Sequence, residues 1–168
     1  MLTAILLALL APQPPQNALT VERARAGPVA IGAVAEDVYR EFGARLMDLK
    51  LEGYLTPALE ISLPGSERPS LIAEIGASDD TLVVTRIRVL DPRLRTKEGI
   101  GIGSTYADLR SRYRIAWVGS GEEDFVARAE PLGISFMLDV SGQQGLRSVR
   151  DPERIPDNVR VIGLFLTR

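Results

Sequence analysis

The loop Gly99-Ile100-Gly101-Ile102-Gly103-Ser104 runs into Thr105, a residue type that caps helices. Glycine-rich backbone ahead of a helix N-terminus can aim several N–H groups at one point, which is how many proteins hold a phosphate or carboxylate. Gly101, Gly103, Ser104 and Thr105 are therefore the candidate contacts for a small anionic ligand. The spacing is neither G-x-G-x-x-G nor a P-loop, and no lysine follows, so the loop names no nucleotide. A flexible connection between two structural units needs the same glycines.

Carboxylates are the second candidate set. Asp37 and Asp108 hold matching places in two similar segments and would be the acid and base of a carboxylate-dependent hydrolase. Matching helix-end residues explain the pair better. Asp79-Asp80 and Glu122-Glu123-Asp124 would attract calcium, but neither has the ligand spacing of a calcium loop. Both fall where hairpin turns are expected, so neither metal nor cofactor is predicted.

Arginines beside aromatic residues form the third set. Strand alternation from Leu82 to Leu90 sends Arg86 and Arg88 away from Val83, Ile87 and Val89. On the last strand, Phe165 and Val161 take the corresponding places if Ile162, Leu164 and Leu166 face the helix. Trp117 is the only tryptophan, and alternation leaves both a core and a surface position open for it. Arg147 and Arg150 lie in the stretch from Ser141 to Asp157, which lacks apolar periodicity and is predicted as a long loop, a tolerated insertion or a contact. Arginine with exposed aromatics has the composition of protein-binding hot spots. Arg86, Arg88, Trp117, Phe165, Arg147 and Arg150 are the predicted partner contacts.

What is missing narrows the chemistry further. Without histidine there is no Ser-His-Asp triad and no imidazole acid, base or metal ligand. Without cysteine there is no thiolate nucleophile, no disulfide and no site for a bacterial lipoprotein anchor. A net charge of −2 gives no general attraction to nucleic acid. With 45% apolar and 25% charged residues, the 168-residue chain has the makings of one ordinary domain or two small units sharing a core.

The elements that must position these groups read as a duplication. Ile31-Gly32-Ala33-Val34-Ala35-Glu36-Asp37-Val38-Tyr39-Arg40-Glu41-Phe42 aligns without a gap on Ile102-Gly103-Ser104-Thr105-Tyr106-Ala107-Asp108-Leu109-Arg110-Ser111-Arg112-Tyr113. Val34, Val38 and Phe42 have helical spacing and Gly43 marks the stop; Thr105 and Asp108 make a helix start in the second copy. Segments of period two follow each helix: 46–52, 59–63, 71–75 and 81–90, then 115–118, 125–129, 134–138 and 159–166. The predicted fold class is α+β: two tandem helix-plus-four-strand repeats, residues 19–95 and 96–168, forming one antiparallel sheet with both helices on one face.

Leu2 to Ala11 carries no charge and gives way to a proline-rich stretch ending at Ala18. Such a run would span roughly 15 Å as helix, about half of a hydrocarbon core, so no membrane span is predicted. Residues 1–18 read as an export signal, with the mature protein periplasmic or secreted. A short N-terminal helix packed on the domain is the other reading.

A tandem pair of helix-plus-four-strand units in an exported chain resembles the beta-lactamase inhibitory protein architecture. The Ile102-Gly103-Ser104-Thr105 and Asp108-Leu109 helix start is similar to that of small outer-membrane assembly lipoproteins. The chain departs from both groups in having no cysteine. The resemblance implies protein binding through a sheet face. The predicted function is thus a non-catalytic, protein-binding module of the cell envelope, with a homodimer equally compatible. The rivals are an anion carrier at Gly99–Ser104 and the hydrolase.

Overall fold

Ile87, Val89, Leu164 and Leu166 are fully buried, whereas Arg86, Arg88 and Phe165 between them are not. Alternating residue types thus become the two faces of a sheet. The computed structural model describes residues 19–51, 53–121 and 124–167. The predicted export signal at 1–18 and the acidic pair Glu122-Glu123 lie outside the described residues.

Twelve strands and two α-helices follow one another in the order β1 Thr20–Glu22, β2 Arg25–Ala26, β3 Val29–Ala30, α1 Ala35–Phe42, β4 Arg45–Leu51, β5 Tyr54–Ile61, β6 Leu71–Ser78, β7 Thr81–Val89, β8 Arg95–Thr96, α2 Tyr106–Arg112, β9 Arg114–Ser120, β10 Phe125–Glu130, β11 Ile134–Leu138 and β12 Val161–Thr167. The large sheet has the order β4-β5-β6-β7-β12-β11-β10-β9, every neighbour antiparallel. A second sheet has the order β3-β2-β1-β8, with β1 parallel to β8.

This corrects the predicted fold class. The described residues are mostly β, with twelve strands in two sheets, rather than two helix-plus-four-strand repeats. The four strands of the small sheet are two or three residues long, too short for a period-two signal to appear. Their burial comes from contact with the rest of the chain: Val21, Ala26 and Val29 join the apolar core.

Each helix is brief and survives only by packing. α1 buries Ala35 and Val38 and ends at Gly43, whose φ of 54° is the left-handed conformation that glycine tolerates best. α2 buries Tyr106 and Leu109 and begins with a complete capping box between Thr105 and Asp108. The aligned glycines Gly32 and Gly103 both have positive φ (87° and 89°) and donate their N–H groups to Val84 and Val161.

Bulges move two predicted faces. Between Glu74 and Ile75 the β6–β7 register slips by one residue, so Val84, not Val83, enters the core. Between Met137 and Leu138 the β11–β12 register slips likewise. Ile162 becomes the extra residue and turns outward, while Val161 is buried. Both assignments reverse the expectation for Val161 and Ile162, because a one-residue slip exchanges faces.

The segment 141–157 also differs from the loop the sequence suggests. It forms two 3-10 helices, Gln144–Ser148 and Pro152–Arg154, and sends Val149 and Ile155 into the core. Its apolar residues have no regular period because 3-10 turns and bends, not one helix or strand, carry them inward.

Candidate interaction face

The register of the large sheet sets one residue from every strand in a single transverse row. Arg45 lies opposite Glu60, Glu60 opposite Ile72, and Ile72 opposite Arg88. Arg88 then faces Phe165, Phe165 faces Ser135, Ser135 faces Arg128, and Arg128 faces Trp117. Directly paired residues share a face, so all eight stand on the side of the sheet away from the main core. Arg86, Arg88, Phe165 and Trp117, widely separated in sequence, are brought together on this face. Arg45, Glu60, Glu74, Arg128 and Ser135 join them. The alternation of Val126 and Arg128 against Phe125, Ala127 and Ala129 is the signal by which sequence could have found β10's contribution.

Electrostatics give the row its order. The Arg88 guanidinium lies 4.6 Å from the Phe165 ring centre and that of Arg86 5.9 Å from it. Cations over an aromatic face at such distances gain about 0.5–2 kcal/mol, more as water is excluded. Arg86 Nη1 is also 3.5 Å from the buried Glu74 carboxylate. At the β4 end, Arg45 grips Glu60 with two hydrogen bonds of 2.9 Å, the bidentate geometry that suits a guanidinium. Arg86, Arg88, Asp124, Ser135, Phe165 and Thr167 surround a concavity of about 220 Å³.

Trp117 is 40% exposed, which decides in favour of its surface position. Its indole reaches back over Gly119, where any Cβ would overlap the ring. Arg147 and Arg150 do not join this group. They lie on the segment packed against β9, where the Arg147 carbonyl accepts from Ser120 and from Arg150. Arg150 also donates to the Val149 carbonyl at 2.9 Å. Local backbone carbonyls thus hold the Arg150 guanidinium.

In the glycine loop the fold already uses the N–H groups of Gly101, Gly103, Ser104 and Thr105. The N–H of Gly101 bonds Ser104 Oγ, that of Gly103 bonds the Val161 carbonyl, and that of Ser104 bonds the Gly101 carbonyl. Thr105 donates to the Asp108 carboxylate at 2.9 Å, and Tyr106 to the Val159 carbonyl at 2.7 Å. Asp108 therefore sits where an anion would, its carboxyl held below the usual range by the Thr105 N–H and hydroxyl. Arg95 stitches the loop through the carbonyls of Gly99 and Ile102. Thr105→Ala should remove one cap and cost about 1 kcal/mol, read as a small fall in the urea midpoint without a change in slope.

Acid–base chemistry finds no assembled site among the described residues. Asp37 and Asp108 are both exposed and lie on different helices. Burial pushes the Tyr106 and Tyr113 phenols up to about 12, so neither supplies a base at neutral pH. Asp79 and Asp80 form the turn between β6 and β7, as a solvated hairpin turn would.

Sequence reasoning missed one polar cluster, the buried Ser70 and Asp91 with the exposed Arg93. Ser70 donates to Asp91 Oδ2 at 2.9 Å and accepts from the Leu63 N–H at 3.1 Å. Asp91 also takes the backbone N–H and guanidinium of Arg93, whose Nη1 continues to the Pro64 carbonyl. The cluster ties the β5–β6 connection to the end of β7 and has every partner it needs. Its only sequence trace is Asp91-Pro92 after a strand, which reads as a turn.

No family model matches this chain, and no curated protein matches it. Among the described residues no helix is long and apolar enough to cross a membrane. The crystal structure of the uncharacterized protein yfeY from Escherichia coli is similar in fold, with a TM-score of 0.60 at 19% identity, covering 89% of this chain and 99% of that one.

Proposed function

We propose that this protein is a non-catalytic binding module that holds a protein partner against the open face of its large sheet. One observation carries the reading: Arg88, Phe165, Arg128 and Trp117 stand in one row, on the side of an eight-stranded sheet opposite its core. A partner docking there would desolvate arginines already seated over an aromatic ring, which strengthens their attraction to carboxylates and aromatics. The concavity beside Phe165 offers a socket for one anchoring side chain. Export through residues 1–18 belongs to the same proposal and places the partner in the cell envelope or outside the cell.

Crosslinking of the tagged protein in its native envelope tests this. One partner should be recovered with the parent protein and lost with Arg86→Glu/Arg88→Glu, while Thr105→Ala retains it. Equal recovery by the charge-reversed protein would overturn the reading, and so would cytoplasmic fractionation of the untreated chain for the export half of it.

A further inference from the structure

The most exposed apolar side chains of this protein lie close together. Tyr54 at 77%, Leu55 at 69% and Leu46 at 62% are the most exposed large apolar residues described, and all three belong to the β4–β5 hairpin. Leu82 and Tyr39 come next, and both line an apolar groove of about 550 Å³ beside Leu46. This cluster gathers at the β4 end of the large sheet, where the order stops. The other end is furnished differently: the two 3-10 helices pack against β9, and Ser120 bonds the Arg147 carbonyl. A seven-residue strand without proline at a sheet end, flanked by exposed Leu and Tyr, is a template for another strand.

Charge placement selects the occupant. Asp48 and Lys50 are exposed, two residues apart, and on the same side of β4 as Leu46. If β4 pairs antiparallel with its own copy and the sheet faces stay continuous, the two-fold axis must pass through a residue position. An axis at Asp48 opposes two aspartates, and one at Lys50 opposes two lysines. An axis at Met47 sets Asp48 against Leu46. Only an axis at Leu49 places Asp48 of each copy opposite Lys50 of the other, twice by symmetry.

We propose that β4 pairs antiparallel with β4 of a second copy about a two-fold axis at Leu49, joining two eight-stranded sheets edge to edge. The pairing satisfies backbone groups that the edge leaves open and brings each β4–β5 turn beside Arg45 and Leu46 of the other copy, at the margin of its groove. It uses the sheet's edge, so it leaves the open face accessible and stands independently of the partner-binding reading.

Mass measurement by sedimentation or light scattering on the whole chain tests it. The parent should have twice the monomer mass at micromolar concentration. Asp48→Lys and Lys50→Asp should each halve that mass, because each sets like charges opposite one another. The double change Asp48→Lys/Lys50→Asp should restore it. Arg86→Glu/Arg88→Glu should leave the mass doubled. Because the chain has no cysteine, Leu49→Cys introduces one thiol per copy, and it should form a disulfide-linked dimer on mild oxidation. Opposed residues of an antiparallel pair have Cα atoms about 4.5–5.5 Å apart, within disulfide reach. A monomeric parent overturns the proposal. So does a dimer indifferent to both single reversals, or one lost with Arg86→Glu/Arg88→Glu, which would assign the contact to the open face.

Discussion

Phe136→Ala is expected to lower stability by about 3–5 kcal/mol, the largest effect of any single change proposed for this protein. Phe136 is fully buried on β11, opposite Ala127 on β10 and Leu164 on β12. Its ring stacks on Tyr113 at 6.2 Å, and Tyr113 in turn bonds the Glu98 carboxylate and lies 2.7 Å from Thr96 Oγ1. Truncation therefore leaves a cavity and also frees the side chain that ties α2's end to β8. Chemical unfolding measures the cost. The core is a single cluster running from Val21 to Leu166, so Trp117 fluorescence and far-ultraviolet dichroism should shift together. Divergent midpoints for the two probes would show that the sheet's ends unfold separately.

The second large effect lies in the Ser70–Asp91–Arg93 cluster. Asp91→Ala strands the Ser70 hydroxyl and the Arg93 N–H at once and should lower the melting midpoint by about 5–10 °C. The Arg93 guanidinium, bonded to both carboxylate oxygens, holds the Asp91 carboxyl down to about 2 against burial, which opposes it. A depressed native value makes the ionised form stabilising. That contribution is present in full above the ordinary value of 3.8 and is lost as pH falls toward about 2. Between pH 5 and pH 2 the parent's melting midpoint should thus fall more steeply than that of Asp91→Asn, which keeps the shape of the side chain but has no proton to take up. Parallel curves would remove Asp91 from the acid sensitivity of the fold.

These two sites show unequal legibility. Phe136 stands in Ile134-Ser135-Phe136-Met137-Leu138, an apolar run that sequence alone reads as a strand. Asp91 is silent in sequence, because its partner Ser70 meets it only when β6 and β7 lie side by side. The interaction face is intermediate. Alternation puts Arg86 and Arg88 on the outer side, and the fold sets Phe165 against them. Arg128 and Ser135 join only through pairing, since strand order β12-β11-β10 is what carries the row on to Trp117.

Sequence by itself determined the local terms: which residues alternate, that a left-handed glycine ends α1 at Gly43, and that Thr105 and Asp108 begin α2. It also determined that no imidazole or thiol chemistry is available. These follow from residue type and near spacing alone. Tertiary structure decided what depends on distant neighbours. The slips at Glu74/Ile75 and Met137/Leu138 exchanged Val83 for Val84 and Ile162 for Val161, because register is set by the strand alongside. The Gly99–Ser104 loop became a closed junction once Val161 arrived to accept the Gly103 N–H and donate to the Ser104 carbonyl. The small sheet formed because strands of two and three residues, mute alone, gain both hydrogen bonds and core contacts when β1 meets β8.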